Sequence, residues 1–234
     1  MRAGPAAQHA EQMRKLTRTL LVGATATLAL TACSGGTETA TTPSPSATET
    51  SFPPSAKYIA DMPAADGRTM TIGIAVDGDQ VAAYACNGVD DEAWFFGDQS
   101  DGRIDITGKF RDTLRASVDG ADVVGDLTMD GVAYRFTAAS VPAPAGMYTG
   151  EAGGVRATWV VRPGDSATGV QHEPGAKSAM DSDLLSDEDF RDQVRNARTL
   201  TPASPILSLQ EGTGTADIDG QVVTLQVVDG DFRL

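Results

Sequence analysis

The chain has 234 residues, with 32 acidic against 18 basic side chains and a formal charge of −14. A polyanion of this kind repels phosphate backbones and anionic headgroups, so nucleic acid is not an expected partner. The length allows one domain with appendages, and 41% hydrophobic residues fill a modest core without supplying a second membrane span.

The N-terminus carries an address. Met13-Arg14-Lys15 opens a basic stretch that runs to Arg18, and an apolar run follows from Thr19 to Ala32. The run is too short to span a bilayer stably, and small residues close it. Residues 1–32 therefore read as a secretory signal peptide, with Met13 as the expected true start. Leu30-Thr31-Ala32-Cys33 resembles a bacterial lipobox. That resemblance implies diacylglyceryl transfer to Cys33, cleavage before it and an acylated (palmitate-type) N-terminus. The expected location is the extracytoplasmic face of the cell membrane, reached through the lipid anchor. Loss of Arg2, Arg14, Lys15, Arg18 and Glu11 with the signal takes the formal charge to −17. It leaves His172 as the single histidine and Cys86 as the single unmodified cysteine.

Residues 33–57 read as a tether. Ser34 to Ser55 is rich in Thr, Ser and Pro, with Phe52 its one bulky side chain. Such a stretch cannot bury enough apolar surface to offset its ordering entropy, so disorder is expected. About twenty such residues reach very roughly 25 Å, enough to hold a domain off a membrane. A glycosylated stalk is the rival reading.

Residues 58–172 read as a barrel-like β-domain. From Thr69 the period is two: Met70, Ile72, Ile74 and Val76 share one face, and Thr71, Gly73 and Ala75 the other. Val81 to Cys86 returns after Asp77-Gly78, with Ala82, Tyr84 and Cys86 on one face. Asn87-Gly88 opens a loop holding Asp90, Asp91 and Glu92, and Trp94 and Phe96 share a face of the next strand. Further alternation follows through Ile104/Ile106, Leu114/Ala116/Val118, Val123/Leu127/Met129 and Val132/Tyr134/Phe136, punctuated by Asp-Gly pairs. Each strand reads as apolar inside and wet outside, hence antiparallel. Short turns pair sequence neighbours. Closure removes exposed edges, so an up-and-down meander closing into a barrel, or a strongly curled sheet, is favoured over a sandwich. Pro142 and Pro144 interrupt the pattern, which resumes through Met147–Gly150 and Val155–Arg162. Ala157, Trp159 and Val161 form the inner face there, and Thr168 to His172 is a final arm.

Residues 173–234 read as an acidic segment, one short C-terminal helix and a final strand pair packed on the β-domain. Ser186 followed by Asp187, Glu188 and Asp189 is a helix start, and Arg191, Arg195 and Arg198 suit its later turns. Thr215 to Val228 carries strand signals and is expected to cover an open edge.

Catalytic groups are sparse. A Ser-His-Asp arrangement needs a histidine base, and His172 reads as a solvated loop residue. One histidine and one cysteine cannot supply the usual zinc ligands, so no metal and no cofactor is expected. Cys86 has no basic neighbour to activate it and reads as a buried packing residue. Asp90, Asp91 and Glu92 read as a solvated hairpin loop, since adjacent acids do not face each other across a cleft as glycosidase chemistry requires. Asp181, Asp183, Asp187 and Glu188 are the best calcium candidates, but the EF-hand pattern fails there. Tyr84, Trp94, Phe96, Tyr134, Phe136 and Trp159 read first as core. In a wider barrel they would line an apolar ligand pocket.

The lipobox, the tether, Ala83-Tyr84-Ala85-Cys86-Asn87-Gly88, Glu92-Ala93-Trp94-Phe95-Phe96-Gly97 and Ala145-Gly146-Met147-Tyr148 together resemble a group of uncharacterised secreted lipoproteins of actinobacteria. The resemblance covers roughly residues 69–172 and implies an address and a β-rich domain, with no activity. The expected function is a non-catalytic module that binds an envelope protein or a cell-wall component. A lipocalin-like carrier of a small apolar ligand is the alternative, and a carboxylate enzyme ranks third.

Overall fold

Strand-forming alternation and Asp-Gly turns run through most of the chain, and the result is almost entirely antiparallel β. The computed structural model describes residues 51–63, 67–173, 194–210 and 212–234, all within the compact unit Ser46–Leu234. Eight strands close a barrel in simple sequence order: β1 (Ser55–Pro63), β2 (Thr69–Asp77), β3 (Gln80–Cys86), β4 (Glu92–Ser100), β5 (Arg103–Thr107), β6 (Thr113–Asp119), β7 (Asp122–Met129) and β8 (Val132–Ser140). The barrel shuts through two pairs, Tyr58 with Ser140 and Ile59 with Ala139. Tight hairpins set the register. At Asp101-Gly102, Asp130-Gly131 and Asp219-Gly220 both residues have positive φ, as two-residue turns matching strand twist require.

The barrel is filled. Ile72, Ile74, Phe95, Leu114, Leu127 and Met129 point inward and are essentially inaccessible. A lipocalin-like carrier needs a hollow interior, and side chains occupy this one.

A second sheet follows, built from β9 (Gly146–Ala152), β10 (Val155–Val161), β11 (Ala167–Glu173), β12 (Thr199–Pro202), β13 (Ile206–Gln210), β14 (Thr213–Ile218) and β15 (Gln221–Val228). Its order is β12-β11-β10-β9-β15-β14-β13. The two edge strands are consecutive in the chain, joined by Ala203-Ser204-Pro205, so the sheet curls on itself around its own core. Tyr148, Ala157, Trp159, Val161, Ile218 and Leu225 fill that core. The Trp159 indole donates to the Ser204 carbonyl at 2.8 Å, tying the link between the edges to the middle strand.

Three expectations change here. The β-domain does not run to residue 172 as one barrel: β9–β11 leave it and form the second sheet with four strands from the C-terminal region, where one final pair was expected. The strands β2 and β3 have no wet face. Ala75, Ala82, Tyr84 and Cys86 are buried beneath Met147, Val160 and Val170 of the second sheet, and Thr71 is buried beside Arg162. Small residues on that face permit the approach: a Cβ on Gly73 would lie 2.5 Å from Met147 Cγ. The tether also ends earlier than expected. Phe52 is buried in the barrel core, edge-on to Tyr58 with ring centroids 5.9 Å apart, because the one bulky residue of the stretch finds an apolar seat. The helix start at Ser186 and the acids at 181–188 lie outside the described residues, as do the signal peptide, Cys33 and most of the tether. Val194, Arg195 and Asn196 are helical.

Candidate ligand cleft between barrel and sheet

The junction is stitched by charge as well as by apolar contact. Arg162, just past β10, donates to both Asp61 oxygens at 2.7 and 2.5 Å and reaches Thr71 and Thr168 at 2.9 Å each. That guanidinium holds the Asp61 carboxyl below the usual range, against a partial opposing effect of burial. Lys57 meets Asp229 at 3.0 Å.

A second charged cluster forms around the Asn87-Gly88 turn. The Asn87 Oδ1 accepts from the N–H groups of Val89, Asp90 and Asp91 at 2.9, 2.9 and 3.0 Å. This side-chain turn carries the chain from Cys86 to Glu92 and fixes where the three acids go. They do not form one solvated loop. Asp90 is exposed and pairs with Arg68 at 3.2 Å. Asp91 is partly buried and accepts from Arg195 at 2.8 Å; burial raises its carboxyl, and Arg195 opposes the rise. Glu92 is only 2% exposed and accepts from Arg156 Nη2 at 2.9 Å. Adjacent carboxylates diverge because alternation sends them to different surroundings.

Arg195 is the hub. Its Nη1 donates to both oxygens of Asp112 at 2.6 and 2.5 Å, its Nη2 serves Asp91, and Asp130 lies 3.8 Å from its Nε. Asp112 also accepts from the Asp130 N–H at 3.1 Å. Arg198 donates to the Arg195 and Glu92 carbonyls at 3.2 and 3.1 Å and lies over the Phe110 ring at 4.6 Å. Arg195, within the helical residues 194–196, and Arg198 just past them pin the segment before β12 onto the barrel.

Between this hub and the barrel wall opens a cleft of about 390 Å³. Trp94 and Phe96 of β4 form one wall, stacked at 5.3 Å and 19°. Phe110 on the β5–β6 loop belongs to the other, with Lys109, Arg156, His172 and Arg198 around it. Tyr84 lies behind Trp94 at 4.7 Å, fully buried, and burial pushes its phenol well up. Phe232 packs on Trp94 at 5.5 Å. His172 is on β11, not in a solvated loop. Half-burial, then the nearby Arg156 charge, lowers its pKa, so it is neutral at neutral pH.

Among the described residues, Trp94 Nε1 and Arg156 Nε are buried polar atoms without a hydrogen-bond partner, while the Tyr84 hydroxyl interacts with the Cys86 thiol and the Glu92 carboxylate. Trp94 and Arg156 both line this cleft. Orphaned polar atoms are uncommon in folded proteins, and their grouping at one cavity marks a place prepared for water or a ligand.

The six aromatics singled out in the sequence therefore separate. Tyr84, Trp94 and Phe96 come together at the cleft, on the barrel's outer face. Phe136 is inside the barrel, with Tyr134 partly buried against the same core. Trp159 sits in the second sheet's own core. Cys86 is buried, and burial pushes its thiol up to about 12, which leaves it an inert packing group. Phe110 and Arg156 belong to the cleft and stood out by no motif, and Arg198, read only as a helix residue, joins them. The comparisons with protein-family models, curated proteins and solved structures find no match.

Proposed function

We propose that the chain is a lipid-anchored lipoprotein of the extracytoplasmic membrane face, akin to the actinobacterial group it resembles, and that its β-domain is a non-catalytic binding module for an envelope component. The lipobox at Cys33 and the Ser/Thr/Pro tether support the address. The aromatic cleft at the junction supports the binding role, and the one observation that carries it is the set of partly buried flat rings, Trp94, Phe96 and Phe110, that line it. The acids nearby are engaged by arginines, Glu92 by Arg156 and Asp91 and Asp112 by Arg195, an arrangement that suits holding a ligand better than transferring protons.

Crosslinking from membranes of cells expressing the full-length protein tests the reading. A specific envelope adduct is expected, and its loss in Trp94→Ala with Phe110→Ala places it at the cleft. Recovery of no specific adduct overturns the binding role. Metabolic labelling with a palmitate analogue tests the anchor: label is expected in the wild type and absent from Cys33→Ala, and an unlabelled wild type overturns it.

A further inference from the structure

We propose that the outer face of β5–β8 is a docking surface for a second copy of this chain, and that the two copies meet there as a weak two-fold dimer held by charge. The second sheet packs on β2 and β3 and leaves this face to solvent. Register carries the first part of the argument. Asp105 stands opposite Arg115, Arg115 opposite Asp126, and Asp126 opposite Arg135. Residues paired in this way share a face, so the four side chains form one row across four strands, signed minus, plus, minus, plus. All four are exposed. A groove of about 810 Å³ lies along the row.

Read from its other end, the row is plus, minus, plus, minus. A two-fold axis between Arg115 and Asp126 therefore sets every charge against its opposite: Asp105 faces the second copy's Arg135, and Arg115 faces the second copy's Asp126. The rows on either side also pass. The axis lays one on the other, so that Ser117 meets Thr128, Val124 meets Thr113, and their single charge, Arg103, meets Ala133. A uniformly acidic or basic partner would meet like charge at every second position, and an apolar one would strand all four charges.

The arginines carry the second part. Arg115 reaches both oxygens of Asp105 through Nε at 3.3 and 3.4 Å, and Arg135 reaches Asp126 through Nε at 3.3 Å. Among the described residues neither uses an Nη donor on another group. A guanidinium presents its donors as a planar fork, so the Nη edge of each remains for a second carboxylate. In the dimer each arginine lies between its own acid and one from the second copy. One exposed pair contributes little, and a linked set contributes more. The row itself is neutral, but the whole chain, at −14, repels its copies. Three rows of four positions also span less than a standard interface, so the dimer is weak and reversible.

Cysteines on the flanking rows test this in membranes of cells expressing the full-length protein. Arg103→Cys and Ala133→Cys are placed in separate, differently tagged chains, which keeps the charged row intact. The axis brings position 103 over position 133 of the second copy and holds identical positions roughly 20 Å apart, since they differ by three strands across and four residues along. A short bismaleimide is expected to join the two kinds of chain to each other and neither kind to itself, with the unsubstituted chain as control. Cys86 is buried and takes no part. Arg115→Asp in both chains should abolish the product, because like charges then face each other across the axis, and Arg135→Asp should act alike. Adding Asp126→Arg to Arg115→Asp should restore it. That exchange leaves positions 105 and 115 both acidic and 126 and 135 both basic, which worsens each copy by itself, so restoration reports the contact between copies. Circular dichroism of each purified variant checks that the β-fold persists. No joined product, joining of identical chains, a product that survives Arg115→Asp, or an exchange that fails to restore it overturns the dimer. Joining to a different envelope molecule overturns the choice of occupant. None of the four charged residues lines the aromatic cleft, so each of these outcomes leaves the cleft reading standing.

Discussion

Arg156 Nη2 lies 2.9 Å from Glu92 Oε1, joining β10 of the curled sheet to the first residue of β4 in the barrel. Glu92 is 2% exposed, so the pair is a buried ionic link across the two halves of the fold and also the edge of the aromatic cleft. Removing one partner strands the other. Arg156→Met should cost roughly 3 kcal/mol in urea unfolding, the lower end of the range for broken buried pairs, since Arg156 keeps some solvent contact. The double change Glu92→Gln with Arg156→Met should recover part of that loss, because no buried charge remains.

The Arg195 hub gives a second stability prediction. Asp112 is 4% exposed and depends on two bonds from one guanidinium. Arg195→Lys keeps the charge but loses the planar fork that serves Asp91 and Asp112 together. A loss of about 2 kcal/mol is expected by denaturant titration, within the usual range for a disrupted buried network. Arg195→Leu should lose more.

Gly73 tests the contact between barrel and sheet. Its missing Cβ would meet Met147 Cγ at 2.5 Å and Sδ at 2.8 Å, with Val160 behind at 3.5 Å. Gly73→Ala should destabilise by about 1–3 kcal/mol through overpacking. Combined with Met147→Ala it should cost less than the sum of the single changes, and a double-mutant cycle measures the coupling.

Much of the barrel was legible because its turns are chemically marked. Asp101-Gly102 and Asp130-Gly131 can hold two successive positive φ values, and the alternation between them assigns Ile104, Leu114 and Leu127 to the interior correctly. The second sheet was less legible. Thr71, Gly73, Ala75 and Ala82 are small, and a small residue opposite a large one reads as a solvent face when nothing shows that another sheet covers it. β12 is four residues long and ends in Pro202, so it carries little period to detect. The cleft was half legible. Tyr84, Trp94 and Phe96 are close in sequence, but Phe110, Arg156, His172 and Arg198 reach them only through tertiary folding, and no local spacing announces that.

His172 makes a pH prediction. Its folded pKa lies below the unfolded value of 6.5, so the unfolded chain binds the proton more readily. Stability is then fully present above that value and falls as pH drops through it toward the folded pKa. His172→Asn should flatten the slope below pH 6.5, read as the change of unfolding midpoint with pH. Asp61 acts lower: its carboxyl is held down by Arg162, so its contribution is present above 3.8 and is lost as pH falls through the folded pKa.

Cys86 should be silent. A thiol pushed to about 12 and fully buried is neutral and shielded, so the native protein should not react there with a thiol reagent at pH 8. Unfolding in denaturant should expose one thiol if Cys33 is acylated, and two if it is not.

The binding role of the cleft is the central claim, and site-specific photocrosslinking in living cells tests it most directly. A photoreactive residue at position 109, on the cleft wall, is compared with one at position 135, on β8 and 88% exposed at its side chain. The account predicts a discrete envelope adduct from position 109 that position 135 does not give. No adduct at 109, or the same adducts from both positions, would contradict it.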